Sequence, residues 1–359
     1  MANLLRVGLI GAGANTRTRH IPGLRAISGV EIVAVCNRRP ESTAAAAREF
    51  GIPRTFETWQ DLVADSDIDA VVIGTWPYLH RPVTLAALEA GKHVLTEARL
   101  AMNAAEAHEM ADAAGRHPDL VAQVVPSPFG LAGDAAVKDL ISSGFLGELR
   151  EVEVIGRGGA LADPNAPLHW RQDGGLSGLN MLQLGILHET LLRWVPPPVQ
   201  VVAQVHAFIA TRIDPEGGVR RRVGTPDSVQ VLAVLENRAR VVYQLSGVTP
   251  LGGGMLIRMF GSDGVLHYDL ETDTLSGLSL KGEPGASAPG VREMRPIPIP
   301  PEKRGGWRVE ADFVDSIRTG APVRFTDFGA GVAYMEFTEA VARSAESGEA
   351  VELPLEEFG

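Results

Sequence analysis

The sequence predicts an α/β fold in two parts: an amino-terminal domain with a parallel sheet, and a carboxyl-terminal α+β domain with an open, mainly antiparallel sheet. Over roughly the first 120 residues, short apolar strands alternate with helix-period segments, as in a parallel sheet covered on both faces. After "PSPFG", longer strands follow one another without intervening helices. A chain of 359 residues also exceeds one comfortable core. We therefore predict domains over residues 1–125 and 126–359.

The first domain opens with the strand "LRVGLI", a glycine-rich turn and a helix that runs to Leu24. Strand and helix segments then alternate in the order "VEIVAVC", "PESTAAAAREFG", "IDAVVIGT", "RPVTLAALEAG", "KHVLT", "NAAEAHEMADAAGR" and "LVAQVV". Pro40 near the start of the second helix and Gly51 after its end are the usual signals for the two ends of a helix.

The second domain begins with the helix "DAAVKDLISSGFLG". Five strand segments follow, "REVEVIGR", "QVVAQVHAFIA", "SVQVLAVLEN", "ARVVYQLSG" and "MLIRMFGSDGVLHYDL". Helices are predicted over Leu179–Trp194, Trp307–Thr319 and Phe328–Ser347. Helices on one side leave an apolar sheet face, implied by "VVAQVHAFIA" and "VQVLAVLE", so we predict a homodimer or homotetramer formed through this sheet.

Composition indicates which classes of partner the protein is expected to bind and in which compartment it is expected to work. A net charge of −11 and a pI near 5.4 argue against nucleic acid and anionic membranes as partners. The basic triplet Arg220–Arg222 is interpreted as a solvated hairpin face. The single cysteine, Cys36, excludes an internal disulfide, and no export signal or membrane span is evident, so the cytoplasm is expected. No metal-ligand spacing and no serine nucleophile motif is found.

The turn "GLIGAGANTRTRHIPGL" follows a strand and opens a helix, which is the context of a Rossmann dinucleotide fingerprint. Gly11 permits the tight turn, and Gly13 lets the backbone approach a pyrophosphate at the helix amino terminus. The third position is Thr16, which loosens the closest packing but offers a hydroxyl. We expect Asn15 and Arg17 to join this cofactor site.

The second strand ends at Asn37, about 20 residues beyond the turn, where a ribose-selecting residue is expected. An aspartate there would repel a 2′-phosphate. Asparagine followed by Arg38 and Arg39 removes that repulsion and supplies guanidinium groups. The cofactor is therefore predicted to be NADP or NAD, with NADP favoured.

The chain resembles the Gfo/Idh/MocA oxidoreductases over nearly its whole length. The resemblance is carried, in order, by "GAGANTRTRHIPGL", "GTWPYLHRPVTLAALEAGKHVLTEARLA", "LISSGFLGELREVEV", "HWRQDGG", "FGSDGVLHYD", "EADFVDSIRTGAPV" and "EAVARSAESGEAVELP". It implies a Rossmann domain, a second α/β domain on an open antiparallel sheet, and dehydrogenase activity on sugars or inositols.

The resemblance also implies a Glu-Lys-Pro motif at the end of the "KHVLT" strand, with the lysine as acid/base or substrate anchor. Glu97 matches the glutamate, which implies a contact with the nicotinamide ribose, but Ala98 replaces the lysine and Arg99 the proline. In a second family motif, Gln183 and Leu187 stand where an aspartate and a histidine are usual.

Two histidines are therefore the candidate proton carriers. His169 precedes the family-like pair Trp170 and Arg171, which are expected at the cofactor and pocket mouth, and it is the first choice. His188 is second, because one residue along a helix turns a side chain by about 100° away from Leu187.

Further site residues come from the helix and from the loop "TWPYLH". Asn180 lies three residues before Gln183, so both amides are expected on one helical face, where they could orient hydroxyls. The loop contributes the further cofactor-binding candidates Thr75, Trp76, Pro77, Tyr78 and His80. The aromatic side chains of Trp76 and Tyr78 are expected near the nicotinamide half of the cofactor.

Three functional interpretations remain open. The first is an NAD(P)-dependent oxidoreductase acting on a sugar, a cyclitol or a sugar-derived carbonyl. The second is a redox-neutral lyase or hydrolase with tightly bound nucleotide. The third is a nucleotide-binding protein without catalysis, since fold alone does not set function.

Overall fold

The computed structural model describes residues 4–280 and 293–358, and these residues form two compact units. The first unit runs to Pro126 and also contains Leu176–Gly178 and Arg308–Met335. The second unit holds Ser127–Gly175, Leu179–Trp307 and the residues from Glu336 onwards. The first boundary thus lies one residue from the predicted one, but the predicted second domain is not continuous, because a late segment packs with the first unit.

The first unit is built on a six-stranded sheet in which every paired strand is parallel, as predicted. Its strands are β1 (Leu5–Ile10), β2 (Val30–Cys36), β3 (Arg54–Thr55), β4 (Ala70–Ile73), β5 (His93–Thr96) and β6 (Ala122–Val124). They lie in the order β3-β2-β1-β4-β5-β6. The carboxyl ends of β1 and β4 are adjacent, so the loops after them meet at one edge.

The helices of the first unit are α1 (Ile21–Arg25), α2 (Pro40–Phe50), α3 (Trp59–Ala64), α4 (His80–Glu89) and α5 (Ala104–Arg116). The segment Thr16–His20, directly before α1, is one turn of π-helix. Gly51 ends α2 in the left-handed conformation with φ +57°, as its position predicted.

The second unit is built on a nine-stranded sheet that is antiparallel except where β7 pairs with β12. Its strands are β7 (Leu149–Arg157), β8 (Pro198–His206), β11 (Ser228–Leu235), β12 (Arg240–Ser246), β13 (Gly254–Gly261), β14 (Gly264–Asp269), β15 (Thr274–Ser279), β16 (Arg295–Ile297) and β17 (Val351–Glu352). The exposed triplet lies in a separate hairpin of β9 (Thr211–Ile213) and β10 (Arg220–Arg222), as expected.

The remaining helices are α6 (Asp134–Ser142), α7 (Gly174–Ser177), α8 (Leu184–Leu192), α9 (Val309–Thr319) and α10 (Phe328–Ser347). The predicted helix over Leu179–Trp194 is wrong at its start, since α8 begins at Leu184. Gly178 and Leu182 both have positive φ, +65° and +44°, which is incompatible with a continuous helix. Asn180 therefore lies outside the helix, and it cannot share a helical face with Gln183 as predicted.

A buried ion pair on α8 holds the chain directly after Pro126. Arg193 pairs with Glu189 at 2.6 Å, and both side chains are about 6% exposed. The backbone N–H of Ser127 donates to Glu189, while Arg193 donates to the carbonyls of Ser127 and Phe129. A buried ion pair needs such additional hydrogen bonds to offset its desolvation, and here they fix the start of the second unit.

One face of the large sheet carries exposed apolar side chains in register. Leu232 on β11 pairs with Val202 on β8 and with Val242 on β12. Leu232 is 60% exposed and Val202 40% exposed. This row lies on the face for which the sequence predicted a partner subunit.

Within the described part of the chain, no helix combines the length and the apolarity needed to cross a membrane. The cytoplasmic location stays a prediction from the sequence.

Candidate nucleotide-binding site

A cavity of about 620 Å³ lies in the first unit, at the carboxyl ends of β1, β2 and β4. This is where a doubly wound parallel sheet binds its ligand. Of the predicted cofactor residues, those lining the cavity are Gly11, Gly13, Arg17, Asn37, Arg38, Thr75, Trp76 and Tyr78. The segment at the start of α3 also lines the cavity, with Glu57 and Thr58 before the helix and Trp59 and Gln60 in its first turn, and none of these was predicted from the sequence.

The close packing of the turn after β1 against the loop after β4 requires a glycine in each of them. Gly11 has φ +90°, and a Cβ there would lie 2.7 Å from the backbone carbon of Gly74. A Cβ on Gly74 would in turn overlap the hydroxyl of Thr16 and the carbonyl of Gly11. Gly74 was not singled out from the sequence, yet it leaves the room that Thr16, at the third fingerprint position, occupies.

Thr16 itself does not line the cavity. Its side chain is buried, and its hydroxyl donates to the carbonyl of Gly11 at 2.9 Å. This hydroxyl therefore closes the turn, whereas the sequence suggested that it would be available to a phosphate. Helical structure starts just after Gly13, whose carbonyl accepts from the N–H of Arg17 at 3.0 Å. The N–H groups at the start of such a segment have no carbonyl partner within it, which is the arrangement that binds phosphate at a helix amino terminus.

The wall after β2 is formed by Asn37 and the two arginines. Asn37 Oδ1 accepts from the N–H of Ala12 at 2.7 Å, and its Nδ2 donates to the carbonyl of Ser42 at 2.9 Å. The guanidinium of Arg38 lies 5.5 Å from the ring centroid of Trp76, within cation–π range. Arg38 and Arg39 both line the cavity and are exposed, so the wall is cationic where the family's selector residue is expected.

The loop after β4 contains one cavity group with an unused hydrogen-bonding atom. Thr75 lines the cavity, and its buried Oγ1 has no hydrogen-bond partner among the described residues. Trp76 and Tyr78 have their ring centroids 6.5 Å apart. The glycine cradle at Gly11 and the unused Thr75 hydroxyl both fit a dinucleotide.

His80 and Pro77, also predicted at the cofactor, are buried and do not line the cavity. The ring of His80 contacts the carbonyl of Thr75 at 3.1 Å and that of Arg99 at 2.9 Å. His80 thereby joins the loops that follow β4 and β5, and burial lowers its pKa. Its position indicates that His80 links the two loops by hydrogen bonds and does not contact the cofactor.

Glu97, at the end of β5, is held by one of its oxygens. Oε1 accepts from Asn15 Nδ2 and from His20 Nε2, the latter at 2.9 Å. Oε2 has no hydrogen-bond partner among the described residues, and the side chain is 16% exposed. Burial alone would raise the pKa of Glu97, but the hydrogen bond and charge of His20 outweigh it and lower that pKa. Glu97 is thus an oriented carboxylate with one oxygen available.

The side chain that follows Glu97 is alanine, and the next is an arginine that turns inward. Arg99 is 6% exposed, and the Ala98–Arg99 peptide bond is cis. The N–H of Leu100 donates to the hydroxyl of Tyr334 at 2.6 Å, which anchors this loop. No titratable side chain therefore stands at position 98, where the family lysine would be.

The second unit contains the candidate proton carriers. His169 is exposed and caps the short turn Trp170–Gln172, with its Nδ1 accepting from the N–H of Arg171 at 3.3 Å. Burial, followed by the charge of Arg171, lowers the pKa of His169. The guanidinium of Arg171 lies 4.2 Å from the ring of Trp170. His169 is therefore accessible and uncharged at neutral pH.

His188 lies inside the second unit. Its ring stacks on Phe337 at 3.6 Å between centroids, and its Nδ1 lies 2.7 Å from the hydroxyl of Tyr243. Burial lowers the pKa of His188 to about 3. A ring that is 1% exposed and uncharged at all ordinary pH values is a packing residue, so we remove His188 from the candidate proton carriers.

The two amides occupy different settings. Asn180 is buried before α8, and Gln183 forms the amino-terminal boundary of that helix, where it is partly exposed. Both lie in the second unit together with His169. No cluster of three or more potential metal ligands occurs in residues 4–280 and 293–358.

The sequence interpretation missed His20 and Glu310, which complete the setting of Glu97. His20 Nδ1 lies 2.6 Å from Glu310 Oε1. His20 falls inside a motif that carried the resemblance, so its place near the glycine turn was a usable signal. No local pattern connects it with a residue 290 positions later.

Comparisons with known proteins agree with this architecture. Residues 5–124 match the Gfo/Idh/MocA oxidoreductase family, described as an NAD-binding Rossmann fold, and residues 135–267 match its carboxyl-terminal domain. An uncharacterized oxidoreductase of Rhizobium meliloti is 26% identical, over 96% of this chain and 98% of that protein. A 1,5-anhydro-D-fructose reductase of Ensifer adhaerens is 41% identical, over 40% and 42% of the two chains. The solved structure of a levoglucosan dehydrogenase with NADH and L-sorbose has a TM-score of 0.86 at 24% identity, over 98% of this chain and all of that one.

Proposed function

The chain belongs to the Gfo/Idh/MocA family of NAD-binding oxidoreductases, and on this premise we propose that it transfers a hydride between a nicotinamide cofactor and a sugar, a cyclitol or a sugar-derived carbonyl. The observation that carries the proposal is Glu97, an ionised carboxylate at the end of β5 with one oxygen unused. The 1,5-anhydro-D-fructose reductase among its relatives supports a sugar-like substrate.

The bound cofactor supplies or accepts the hydride. The residues of the chain would hold it: the turn at Gly11 and Gly13 would receive the pyrophosphate, and the unused Oε2 of Glu97 would accept a hydrogen bond from the nicotinamide ribose. Fixing the cofactor in this way contributes to rate through orientation.

His169 is our first choice for the group that transfers the proton accompanying the hydride. Because its Nδ1 accepts from a backbone N–H, the neutral ring has its proton on Nε2. This tautomer can donate a hydrogen bond through Nε2 to a substrate carbonyl oxygen, and transfer of a proton would require that the ring first takes up a proton from solvent. Asn180 and Gln183, as neutral amides, would orient substrate hydroxyls.

We further propose that NADP binds at least as tightly as NAD. Asn37 has no negative charge, and Arg38 and Arg39 line the same wall of the cavity. Glu57 is the carboxylate that also lines the cavity, so the guanidinium groups of Arg17, Arg38 and Arg39 outnumber it. Such groups bind phosphate well.

Turnover is expected with purified protein, NADPH or NADH, and a panel of keto-sugars, as a net loss of reduced-nicotinamide absorbance. Oxidation of sugar alcohols by NADP⁺ or NAD⁺ should give the reverse change. Product formed without net absorbance change would replace the proposal by the redox-neutral interpretation. Binding of nucleotide with no product across a broad panel would contradict the proposed substrate class.

Replacement Asn37→Asp should weaken NADPH binding by at least about tenfold and leave NADH binding unchanged or tighter. The added carboxylate would face the 2′-phosphate, and like charges brought together cost several kcal/mol. Titration by nucleotide fluorescence measures both affinities. Arg48→Gln, in the helix α2 that follows Asn37 but outside the cavity, makes the same change in net charge and is the control for it. A wild type that strongly prefers NADH would contradict the NADP proposal.

Replacement His169→Ala should lower turnover at saturating cofactor by about 10²–10⁴, the range for losing a general acid or base. His188→Phe is the contrasting variant, because a second aromatic ring can replace the stacked imidazole, and turnover should fall much less. The measurement is kcat for the best sugar of the panel. Unchanged turnover in His169→Ala would assign the proton to another group.

We also propose that the protein is a homodimer or homotetramer formed through the outer face of the large sheet. The apolar row of the exposed Val202 and Leu232 and the partly exposed Val242 supports this, since apolar patches of this kind mark interfaces. Light scattering at micromolar concentration should give a multiple of the chain mass, and Leu232→Glu should shift it towards the monomer. A wild-type monomer would contradict the proposal.

A further inference from the structure

Three segments of the first unit meet at one buried histidine. His20 comes from the π-turn before α1, Glu97 from the end of β5, and Glu310 from the first turn of α9. The His20 side chain is fully buried, and that of Glu310 is 4% exposed. Each ring nitrogen of His20 lies within 2.9 Å of a carboxylate oxygen.

This geometry sets the charge of the histidine. A neutral imidazole has a single N–H, and its second nitrogen would direct a lone pair at a carboxylate. Two donated hydrogen bonds require the imidazolium form. Burial by itself lowers the pKa of His20, but the hydrogen bonds to Glu310 and Glu97 outweigh it and raise that pKa to about 9.

Glu310 is held close to the histidine by the helix opposite. A Cβ on Gly23, in α1, would lie 2.6 Å from Glu310 Oε2, so the carboxylate occupies space that only glycine leaves free. A buried carboxylate is costly unless it is paired, and the charged ring of His20 supplies that pairing.

One carboxylate oxygen in this group of three residues has no hydrogen-bond donor among the described residues. His20 and Asn15 both donate to Oε1 of Glu97, which leaves Oε2 without a partner among the described residues. The unused acceptor lies on the residue that we propose contacts the nicotinamide ribose.

We propose that Glu310 is a positioning residue for the cofactor: it holds His20 in place, and His20 fixes Glu97 Oε1 so that Oε2 faces the ribose hydroxyls of the nicotinamide half. The inference rests on the proposed function of Glu97. It gives a residue near the carboxyl end of the chain a part in cofactor binding without any contact of its own with the cofactor.

The main test compares two ligands on Glu310→Gln. The first is NADH or NADPH, whichever the wild type binds more tightly, and the second is the matching nucleotide without the nicotinamide half, AMP or 2′,5′-ADP. The neutral amide cannot support a charged His20, so affinity for the dinucleotide should fall about tenfold, the loss expected for one charge-assisted hydrogen bond. Affinity for the adenine nucleotide should stay within about twofold.

Further variants separate positioning from general damage. Gly23→Ala keeps both acidic residues but displaces the carboxylate of Glu310, so it should reproduce the tenfold loss. In the Glu97→Gln background, Glu310→Gln should have no additional effect, because its effect passes through Glu97. Glu106→Gln, which removes a partly buried carboxylate of α5 that does not line the cavity, should bind both ligands like the wild type.

The dependence of binding on pH gives an independent reading. The titratable groups that act on His20 are Glu97 and Glu310, and His80 acts on Glu97 in turn. Because the charged ring holds Glu97, dinucleotide affinity should be constant from pH 7 to about 8 and fall as pH rises through about 9. In Glu310→Gln the fall should begin at lower pH.

Four outcomes would overturn the inference. They are unchanged dinucleotide affinity in Glu310→Gln, an equal loss for both ligands, an additive loss in the Glu97→Gln background, and identical pH profiles for wild type and variant. Failure of the proposed function looks different. In that case Glu97→Gln itself leaves wild-type dinucleotide affinity unchanged, or the wild type binds neither ligand, and the inference falls with it.

Discussion

A charged histidine between the buried carboxylate of Glu310 and the partly buried one of Glu97 joins three segments of the first unit. Its three members come from the turn before α1, the end of β5 and the first turn of α9, so the set joins parts of the chain that are far apart in sequence. Removing one member would leave an uncompensated buried charge, which is strongly destabilising. The same contacts lower the pKa of Glu97 and leave its Oε2 without a partner among the described residues.

The second unit manages its buried polar groups in two ways. Glu189 and Arg193 form an ion pair whose remaining hydrogen bonds fix residues 127–129, while His188 is kept uncharged by stacking and a single bond to Tyr243. His188 and Glu189 are neighbours on α8, so the sequence does not show that one is uncharged and the other is in an ion pair. Burial therefore separates two titratable residues that look equally available in the sequence.

The loss of the family lysine leaves the cofactor side of the site intact. Ala98 removes an acid/base group, yet the glycine cradle, the cationic wall after β2 and the oriented Glu97 are all present. We propose that different residues carry cofactor binding and proton transfer. His169 is our candidate for the proton step because its ring is exposed.

The sequence by itself determined the two-part architecture and five of the six parallel strands, all but the two-residue β3. It also determined the glycine turn and the position of Glu97 at a strand end. These features follow from local periodicity and turn chemistry. Only the tertiary structure decided that Gly74 makes room for Thr16, that Asn180 lies outside α8, and that α9 returns to the first unit. It also decided that Glu310 meets His20, 290 residues away. Contacts at such separation depend on which apolar faces bury each other, and that choice is a property of the whole packed core rather than of any segment.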